Sequence, residues 1–305
     1  MNTKPRKKPI RKERLAFIIC CCALPVINWL VFYVFTNMSS FVMAFTNKDG
    51  IVSFDNFIRF WDELNNPVSD IRVAIKNTFL TFAILVATFP FKVLVSYFIY
   101  KKVPGAGIYR ILFFLPSIIF GVALAMIFQK IIGVNGFIAQ GIQEFFHLEQ
   151  TPELLADTRF ANTTVLLHMI WLGFPGDLII WGGTFARIPT DVLESGKIDG
   201  VNWWQEFTKI TVPMVWPTVA LQMVLLFCGI FGATGQVFLL TKGQFGTMTI
   251  SAWMYLQLYN LSGNQYTSNA FNYMSAVGLV ITIIAIAISL VVRKWTDKAF
   301  DEVEF

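Results

Sequence analysis

The chain has 305 residues, of which 55% are hydrophobic and only 14% carry a charge, and its mean hydropathy is +0.60. A soluble domain usually has about a quarter charged residues, so this composition excludes an ordinary soluble protein and predicts one that crosses a membrane several times. The net charge of +5 comes mostly from a basic N-terminal cluster. Such a cluster is typical of a segment that fixes membrane topology against anionic lipid, rather than of a nucleic-acid-binding site.

Six stretches along the chain are long and apolar enough to cross a bilayer, which needs roughly 20 apolar residues per helix. They cover about 15–36, 77–100, 111–131, 163–186, 214–240 and 274–292. The sequence therefore predicts an all-α polytopic membrane protein with six transmembrane helices. It divides into a basic N-terminal segment at 1–14, a transmembrane domain at 15–292 and a C-terminal tail at 293–305.

The lysines and arginines predict the orientation of these helices. Most of the 24 lie in the N-terminal segment, in the connections after the second and fourth spans, and in the C-terminal tail. Since such residues are enriched on the cytoplasmic side of membrane proteins, we expect both termini to be cytoplasmic, together with the connection at 187–213. The first apolar run is too long for the apolar part of a signal peptide, so we predict a retained membrane helix.

No motif for catalysis or nucleotide binding occurs in the sequence. The P-loop pattern is absent, and so are those of metalloproteases and serine hydrolases. His147 is predicted to be a surface residue, and His168 to be hydrogen-bonded to a neighbouring helix. The four cysteines lie in predicted spans, without the spacing of a disulfide framework or a metal site. We therefore expect a protein that is not an enzyme and binds no metal or cofactor of its own.

The connection at 187–213, here called the charged loop, contains ESGKIDGVNWWQEFTKITVP and separates two apolar spans. Its pattern predicts two short helices. Thr190 is a candidate N-cap for the first helix, Asp199-Gly200 is a helix breaker, and Asn202 is a candidate N-cap for the second.

The second predicted helix is amphipathic. Trp203, Phe207 and Ile210 recur at the spacing of one helix face. Pro213 is predicted to end the loop, and Pro217 to lie in the first turn of the next span. An exposed pair of helices of this kind suits docking into a groove of a partner, and an ordinary interfacial loop is the alternative.

The charged loop resembles the EAA motif of permease subunits of ABC importers, E-A-A-x-x-D-G-A-x(5)-F-x-x-I-x-L-P. The matching residues are Glu194, Asp199, Gly200, Phe207, Ile210 and Pro213, and the departures are Ser195, Gly196, Val201 and Val212. The segments RILFFLPSIIFGVALAMIFQKIIGVNG and TKGQFGTMTISAWMYLQLY are similar to further segments of carbohydrate-type permeases, although a proline of the latter pattern is missing here. The resemblance covers most of the chain.

The resemblance implies a type I ABC importer permease of the carbohydrate-uptake group, similar to the maltose, multiple-sugar and lipo-oligosaccharide permeases. It implies pairing with a second EAA-type permease, a cytoplasmic ATPase pair that binds ATP and Mg, and an extracytoplasmic solute-binding protein, in the bacterial cell membrane. It also implies a set of residues that couple the permease to the ATPase: Glu194, Ser195, Gly196, Asp199, Gly200, Phe207 and Pro213.

The composition of the segment 243–292 indicates which kind of solute the protein carries. This segment has no charged residue. Its first part is rich in amides and aromatic rings, which suit sugar hydroxyls and the apolar faces of sugar rings. We therefore expect a neutral oligosaccharide or glycoside. The candidate pathway residues are Trp253, Tyr255, Gln257 and Asn272, followed by Gln129, Trp181, Gln222 and Gln236 on other spans. An interfacial aromatic belt is the alternative interpretation of this segment.

Two charges lie within predicted spans, Lys92 and Asp177. Intramembrane charges are costly, so we favour a mutual ion pair or snorkelling of Lys92, and a gate contact is the functional alternative. Two other functions stay open: an ABC permease for a non-sugar solute, and a stand-alone secondary transporter, which would need coupling carboxylates at mid-membrane.

Overall fold

A computed structural model describes residues 12–232, 235–260 and 268–299. In these ranges the chain is mostly helical and contains no strand beyond an isolated bridge between Thr46 and Val52. The helices are α1 (Lys12–Trp29), α2 (Thr36–Ala44), α3 (Asp55–Asn65), α4 (Asp70–Tyr100), α5 (Ala106–Ile118), α6 (Gly121–Ile132), α7 (Phe137–Phe145), α8 (Ala161–Phe185), α9 (Thr190–Ile198), α10 (Trp203–Gln205), α11 (Val212–Met214), α12 (Trp216–Cys228), α13 (Gly235–Thr241), α14 (Ile250–Asn260) and α15 (Ser268–Ala299). Two π-helical turns, Leu30–Phe35 and Glu206–Thr211, join α1 to α2 and α10 to α11.

The chain forms two compact units, residues 1–61 with 266–279, and residues 62–265 with 280–305. In the first unit, buried Asn56 on α3 donates hydrogen bonds to the carbonyls of Ala44 and Thr46, at 3.1 and 3.0 Å. Asn272 on α15 donates to the Asn47 carbonyl at 3.4 Å. The Asn56 amide thus satisfies the carbonyl of the last residue of α2, which has no helical partner, and both amides tie the chain that follows α2 to other helices.

Four predicted spans are confirmed as long apolar helices. They are Ile19–Ala44, Asp70–Tyr100, Ala161–Phe185 and Asn269–Lys298. Gly121–Phe145 and the bent pair Trp203–Met214 with Trp216–Cys228 bring the candidate spans among the described residues to six. The prediction of an all-α polytopic membrane protein is confirmed.

The third predicted span, 111–131, is wrong as a continuous helix. Helix α5 ends at Ile118, and Ile119 and Phe120 have extended backbone, with ψ of 136° and 131°. Helix α6 then begins at Gly121 and, with α7, forms the span. Pro116 has no N–H for the last turn of α5, and the missing donor weakens the helix just before the break.

The fifth predicted span, 214–240, is also interrupted. Helix α12 ends at Cys228, residues 229–232 are not helical, and α13 covers Gly235–Thr241. Glycines at 229, 232 and 235 flank the interruption, and each costs a helix about 1 kcal/mol relative to alanine. Irregular backbone at membrane depth is tolerated where it lines a cavity, which makes this interruption a candidate site.

An apolar core of the second unit lies where the charged loop meets the helix ends. It combines residues of α4, α8, the charged loop and α12, and its buried members are Val93, Tyr97, Trp181, Phe185, Ile188, Leu193, Phe207, Val215 and Val219. The charged loop is thus packed on the helices and does not project freely. Residues 1–11, 233–234, 261–267 and 300–305 lie outside the described residues, and they include most of the basic N-terminal segment, part of the segment 243–292 and the end of the tail.

Candidate functional site

The charged loop folds as two helical segments separated by a turn at Asp199-Gly200, as predicted. Helix α9 ends at the Asp199-Gly200 turn, where Gly200 has φ +75°. The Gly200 N–H donates to the Lys197 carbonyl at 3.1 Å, and the Val201 N–H to the Gly196 carbonyl at 3.0 Å. These two bonds form a Schellman motif, which closes the end of α9 and turns the chain into the second helix.

The two predicted N-caps have different outcomes. Asn202 is confirmed: it accepts from the Gln205 N–H at 2.8 Å, and the Gln205 side chain accepts from the Asn202 N–H at 3.1 Å, which completes a capping box. Thr190 is wrong as a cap, because α9 begins at Thr190 and Pro189 occupies the cap position. The fixed φ of proline suits the approach to a helix, and no side-chain cap replaces it.

One face of the charged loop is packed inward. Leu193 and Phe207 are buried in the apolar core, and the Phe207 ring lies 5.0 Å from the Tyr97 ring of α4. Gly196 is also buried, and a Cβ atom at that position would come within 2.8 Å of Ile210 Cδ1. The absence of a side chain at Gly196 therefore lets the second helix approach α9 closely.

The opposite face of the charged loop is exposed. Glu194, Ser195 and Asp199 are all exposed on it. Large apolar side chains accompany them: Ile198 is 86% exposed, and Trp203 and Trp204 are 54% and 52% exposed. Trp203 was predicted to share a face with Phe207, but the π-helical turn that starts at Glu206 rotates the later residues away from it. Apolar groups rimmed by carboxylates are typical of a protein-docking surface.

Pro213 does not end the charged loop, contrary to the prediction. The helix continues through Pro213 to Met214, and the sharp bend of 76° follows, at Val215. The Val212 N–H bonds to the Phe207 carbonyl in the wider π-helical register, and Pro213 follows where that register ends. Pro217 does lie in the first turn of α12, as predicted.

A buried acid in the charged loop was missed by the sequence reasoning. The side chain of Glu206 is 9% exposed, accepts a hydrogen bond from the Tyr97 hydroxyl at 3.0 Å and forms an ion pair with Lys101. We call these three residues the Glu206 cluster. Its only sequence signal is an acid between Trp203 and Phe207, next to the apolar face of an amphipathic helix.

A cavity of about 290 Å³ lies at the interruption of the fifth span. Its walls come from α4, α8, the end of α12, the interruption and α13. The lining residues are Thr81, Phe82, Leu85, Met169, Leu172, Gly173, Leu226, Gly229, Ile230, Gly232 and Gln236. None of these lining residues is charged, and the side chains of Thr81 and Gln236 supply its hydrogen-bonding groups.

The first set of candidate pathway residues does not line this cavity. Trp253, Tyr255 and Gln257 lie on α14, where Trp253 is buried and the Tyr255 ring contacts that of Phe238 at 5.0 Å. Asn272 belongs to the other compact unit and is bonded to Asn47 there. Asn264, Gln265 and Tyr266 of the same polar segment lie outside the described residues.

Of the second set, Gln236 alone lines the cavity. Gln129 on α6 donates to the carbonyls of Leu239 and Leu240, at 3.0 and 3.1 Å, and so holds the end of α13. Trp181 is fully buried in the apolar core. Gln222 is half-buried on α12 and does not line the cavity.

The intramembrane charges Lys92 and Asp177 form the predicted ion pair, with an N–O distance of 3.0 Å between α4 and α8. Lys92 Nζ also lies 3.4 Å from the Gly173 carbonyl oxygen. A Cβ atom at Gly173 would meet this ammonium at 2.5 Å, so the glycine makes room for it. Because Gly173 lines the cavity, the ion pair lies directly behind the cavity wall.

His168 is not hydrogen-bonded to a neighbouring helix, contrary to the prediction. It is 1% exposed, and neither ring nitrogen has a hydrogen-bond partner. Its ring packs on Phe128 at 4.5 Å and on Trp171 at 6.0 Å, so it serves as an aromatic packing residue. His147 is exposed, as predicted.

The helical spans, the interrupted helix beside a cavity and the two-helix charged loop define a membrane component of a solute transport system. A family model agrees: residues 69–301 match the binding-protein-dependent transport system inner membrane component family, and the chain belongs to it. It is therefore a multi-pass component of a bacterial inner membrane and not an enzyme.

Several known proteins resemble the chain over nearly its whole length. The probable ABC transporter permease protein YesP of Bacillus subtilis is 26% identical over 95% of this chain and 93% of its own. The multiple sugar-binding transport system permease protein MsmF of Streptococcus mutans is 23% identical over 90% and 93%. A solved bacterial alginate ABC transporter, in complex with a periplasmic protein carrying an alginate pentasaccharide, has a chain of the same fold, with a TM-score of 0.79 at 21% identity over 94% of this chain and 96% of that one.

Proposed function

We propose that this chain is a permease subunit of an ATP-driven importer that takes up a neutral oligosaccharide or glycoside. Family membership supports the transport role, and the names of YesP and MsmF support an ABC permease and a sugar solute. The partners are a second EAA-type permease, a pair of cytoplasmic ATPase subunits that bind ATP and Mg, and an extracytoplasmic binding protein. No cofactor is assigned to the chain itself.

The observation that carries this proposal is the two-faced charged loop. Its inner face is packed into the core through Leu193, Gly196 and Phe207, and its outer face presents Glu194, Ile198 and the tryptophans. A cytoplasmic position fits the distribution of lysines and arginines. The outer face then docks on an ATPase subunit, and the inner face carries its movement to the helices.

Transport follows from two arrangements of these helices. Binding of ATP and docking of the loaded binding protein each favour one arrangement, so that together they shift the equilibrium between inward-facing and outward-facing states. The cavity provides the solute site, with Gln236 and Thr81 as hydrogen-bonding groups and Phe82 as an apolar surface for a sugar ring. Trp253, Tyr255, Gln257 and Asn272 stay proposals for other parts of the pathway.

A neutral solute is proposed because the lining residues of the cavity carry no charge, and Lys92 behind its wall is already paired with Asp177. The test is uptake by cells that depend on this chain, with radiolabelled neutral oligosaccharides and uronate oligosaccharides of the same length. We expect uptake of a neutral oligosaccharide and none of the uronates. Uptake of uronates alone would contradict the neutral assignment, and uptake of neither would contradict the sugar assignment.

A further inference from the structure

The Glu206 cluster places a carboxylate in the contact between the charged loop and α4, which also contains the apolar contact of Phe207 with Tyr97. Glu206 is 7% exposed as a residue, beside the buried Phe207. A buried carboxylate is costly unless it is paired and hydrogen-bonded, and Glu206 has both kinds of partner, an ammonium and a hydroxyl. Both partners come from one element, the C-terminal end of α4, whereas Glu206 belongs to the charged loop.

The geometry of the cluster favours a fixed register between the charged loop and α4. Tyr97 and Lys101 are neighbours on the same helix face, and Lys101 lies where the negative end of the helix dipole stabilises a cation. The Lys101 ammonium lies 5.7 Å from the centre of the Tyr97 ring. The hydrogen bond from Tyr97 to Glu206 weakens steeply when its length or angle changes, whereas the apolar contact between the Tyr97 and Phe207 rings is non-directional.

Helix α4 connects this cluster to the cavity. It is a single helix from Asp70 to Tyr100, and it continues through Pro90 without interruption. Thr81, Phe82 and Leu85 of the same helix line the cavity. At a rise of 1.5 Å per residue, Tyr97 is about 18 Å along the helix from Leu85. A movement of the charged loop that is passed to α4 therefore reaches a wall of the cavity.

We propose that Glu206 is a positioning residue that locks the charged loop to α4 through Lys101 and Tyr97, and that this contact transmits movement of the ATPase to the cavity wall. The proposal rests on the proposed function, because it needs an ATPase on the outer face of the charged loop. It assigns the transmission step to a polar contact outside the residues that match the EAA pattern.

The test measures movement of the cavity wall without needing the solute. The four cysteines are replaced by serine, Leu85→Cys is introduced on the cavity wall, and the tagged chain is purified with its partner subunits in nanodiscs. The rate of maleimide labelling at position 85 is measured with and without a non-hydrolysable ATP analogue. We expect the analogue to change this rate in the parent complex, and the ratio of the two rates is the readout.

Three variants and one control separate the proposal from a loss of folding. Glu206→Gln and Lys101→Met should reduce the nucleotide response by about fivefold or more, the lower end of usual coupling between sites, with ATPase subunits and nucleotide binding retained. The exchange Glu206→Lys with Lys101→Glu should restore the response to within about twofold. Lys102→Met, at the neighbouring exposed lysine, should leave the response unchanged.

The outcomes distinguish this proposal from the proposed function. Absence of ATPase subunits from the parent complex contradicts the proposed function. If the parent carries them and both single variants keep the full nucleotide response, the Glu206 cluster does not transmit the movement and the proposal is wrong. It is also wrong if the single variants lose the ATPase subunits, because the cluster then serves docking, or if the charge exchange fails to restore the response in an assembled complex.

Discussion

At the scale of single residues, two glycines of the charged loop are required for different reasons. Gly200 has φ +75°, and no atom lies within 4 Å of the position that a Cβ atom would take. Gly196 has ordinary helical geometry, but Ile210 occupies the space that its side chain would need. The sequence predicts the first requirement, because Asp-Gly after an amphipathic stretch indicates a turn with positive φ.

The sequence could not predict the second requirement. Helix propensity alone makes Gly196 a weakness of α9, worth about 1 kcal/mol against alanine. Its packing against Ile210 depends on the angle between two helices, which only the folded chain sets. The buried position of Glu206 was missed for the same reason, since its partners Tyr97 and Lys101 are distant in sequence.

Gly200→Val should destabilise the charged loop by about 1–2 kcal/mol, because a β-branched residue resists the left-handed backbone region. Gly200→Asn is the matched variant, since asparagine tolerates that region, and it should cost clearly less. The loss of stability in the two variants is compared by thermal unfolding of the purified complex. Equal losses of stability would show that the cost comes from crowding and not from the backbone.

Gly196→Ala should change what Ile210 contributes to stability. In the parent chain, Ile210→Val should cost about 0.5–1.5 kcal/mol, the usual price of a lost core methyl group. With alanine at position 196, the same change removes the Cδ1 atom that would clash, so it should cost less or stabilise the loop. A double-mutant cycle measured by thermal unfolding gives this difference, and strict additivity would contradict the packing.

At the scale of elements, both corrected spans were interrupted where proline or glycine lies inside an apolar run. Composition predicts whether an apolar run is long enough to cross the bilayer. It does not predict whether a proline or glycine breaks the helix within that run, because this depends on how neighbouring helices pack around the break. The break before Gly121 and the break after Cys228 are each accompanied by helix-weakening residues in the sequence. The second break forms part of a cavity, which hydropathy alone does not reveal.

The ion pair between α4 and α8 makes a prediction at this scale. Lys92→Met leaves the Asp177 carboxylate without its partner within the membrane. Breaking a fully buried pair costs about 3–5 kcal/mol, and because the Asp177 side chain is 25% exposed we expect a loss below that range. The double variant Lys92→Met with Asp177→Asn removes both charges and should recover most of this loss. The melting temperatures of the purified complexes with the single and the double variant test this prediction. If the single variant is as stable as the double variant, the pair does not join the two helices.

At the scale of the whole molecule, the charged loop and the cavity are the two ends of one proposed mechanism. The loop could be predicted from sequence because its matching residues have fixed spacing, from Glu194 to Pro213. The cavity could not, because its lining residues come from several helices and share no local pattern. Gln236 was a predicted pathway residue, but only the structure distinguishes it from Gln222 or Gln129.

Gln236→Leu should raise the KM for uptake of the transported oligosaccharide by about two- to tenfold, because one net hydrogen bond contributes about 0.5–1.5 kcal/mol. The maximal rate should change less, since α13 keeps its anchor at Gln129. Gln222→Leu is the matched control, on a half-buried glutamine that does not line the cavity. Equal effects of both variants on KM would argue against the cavity as the solute site.

The central claim, that this chain is a permease driven by a separate ATPase through the charged loop, is tested most directly by gentle purification of the tagged chain and quantification of its partners. The parent should retain a second permease and ATPase subunits. Glu194→Lys, a charge reversal on the exposed face of α9, should retain the second permease and lose most of the ATPase, whereas Glu144→Lys on the exposed face of α7 should lose neither. A parent that carries no ATPase, or a Glu194→Lys variant that carries as much as the parent, would contradict it.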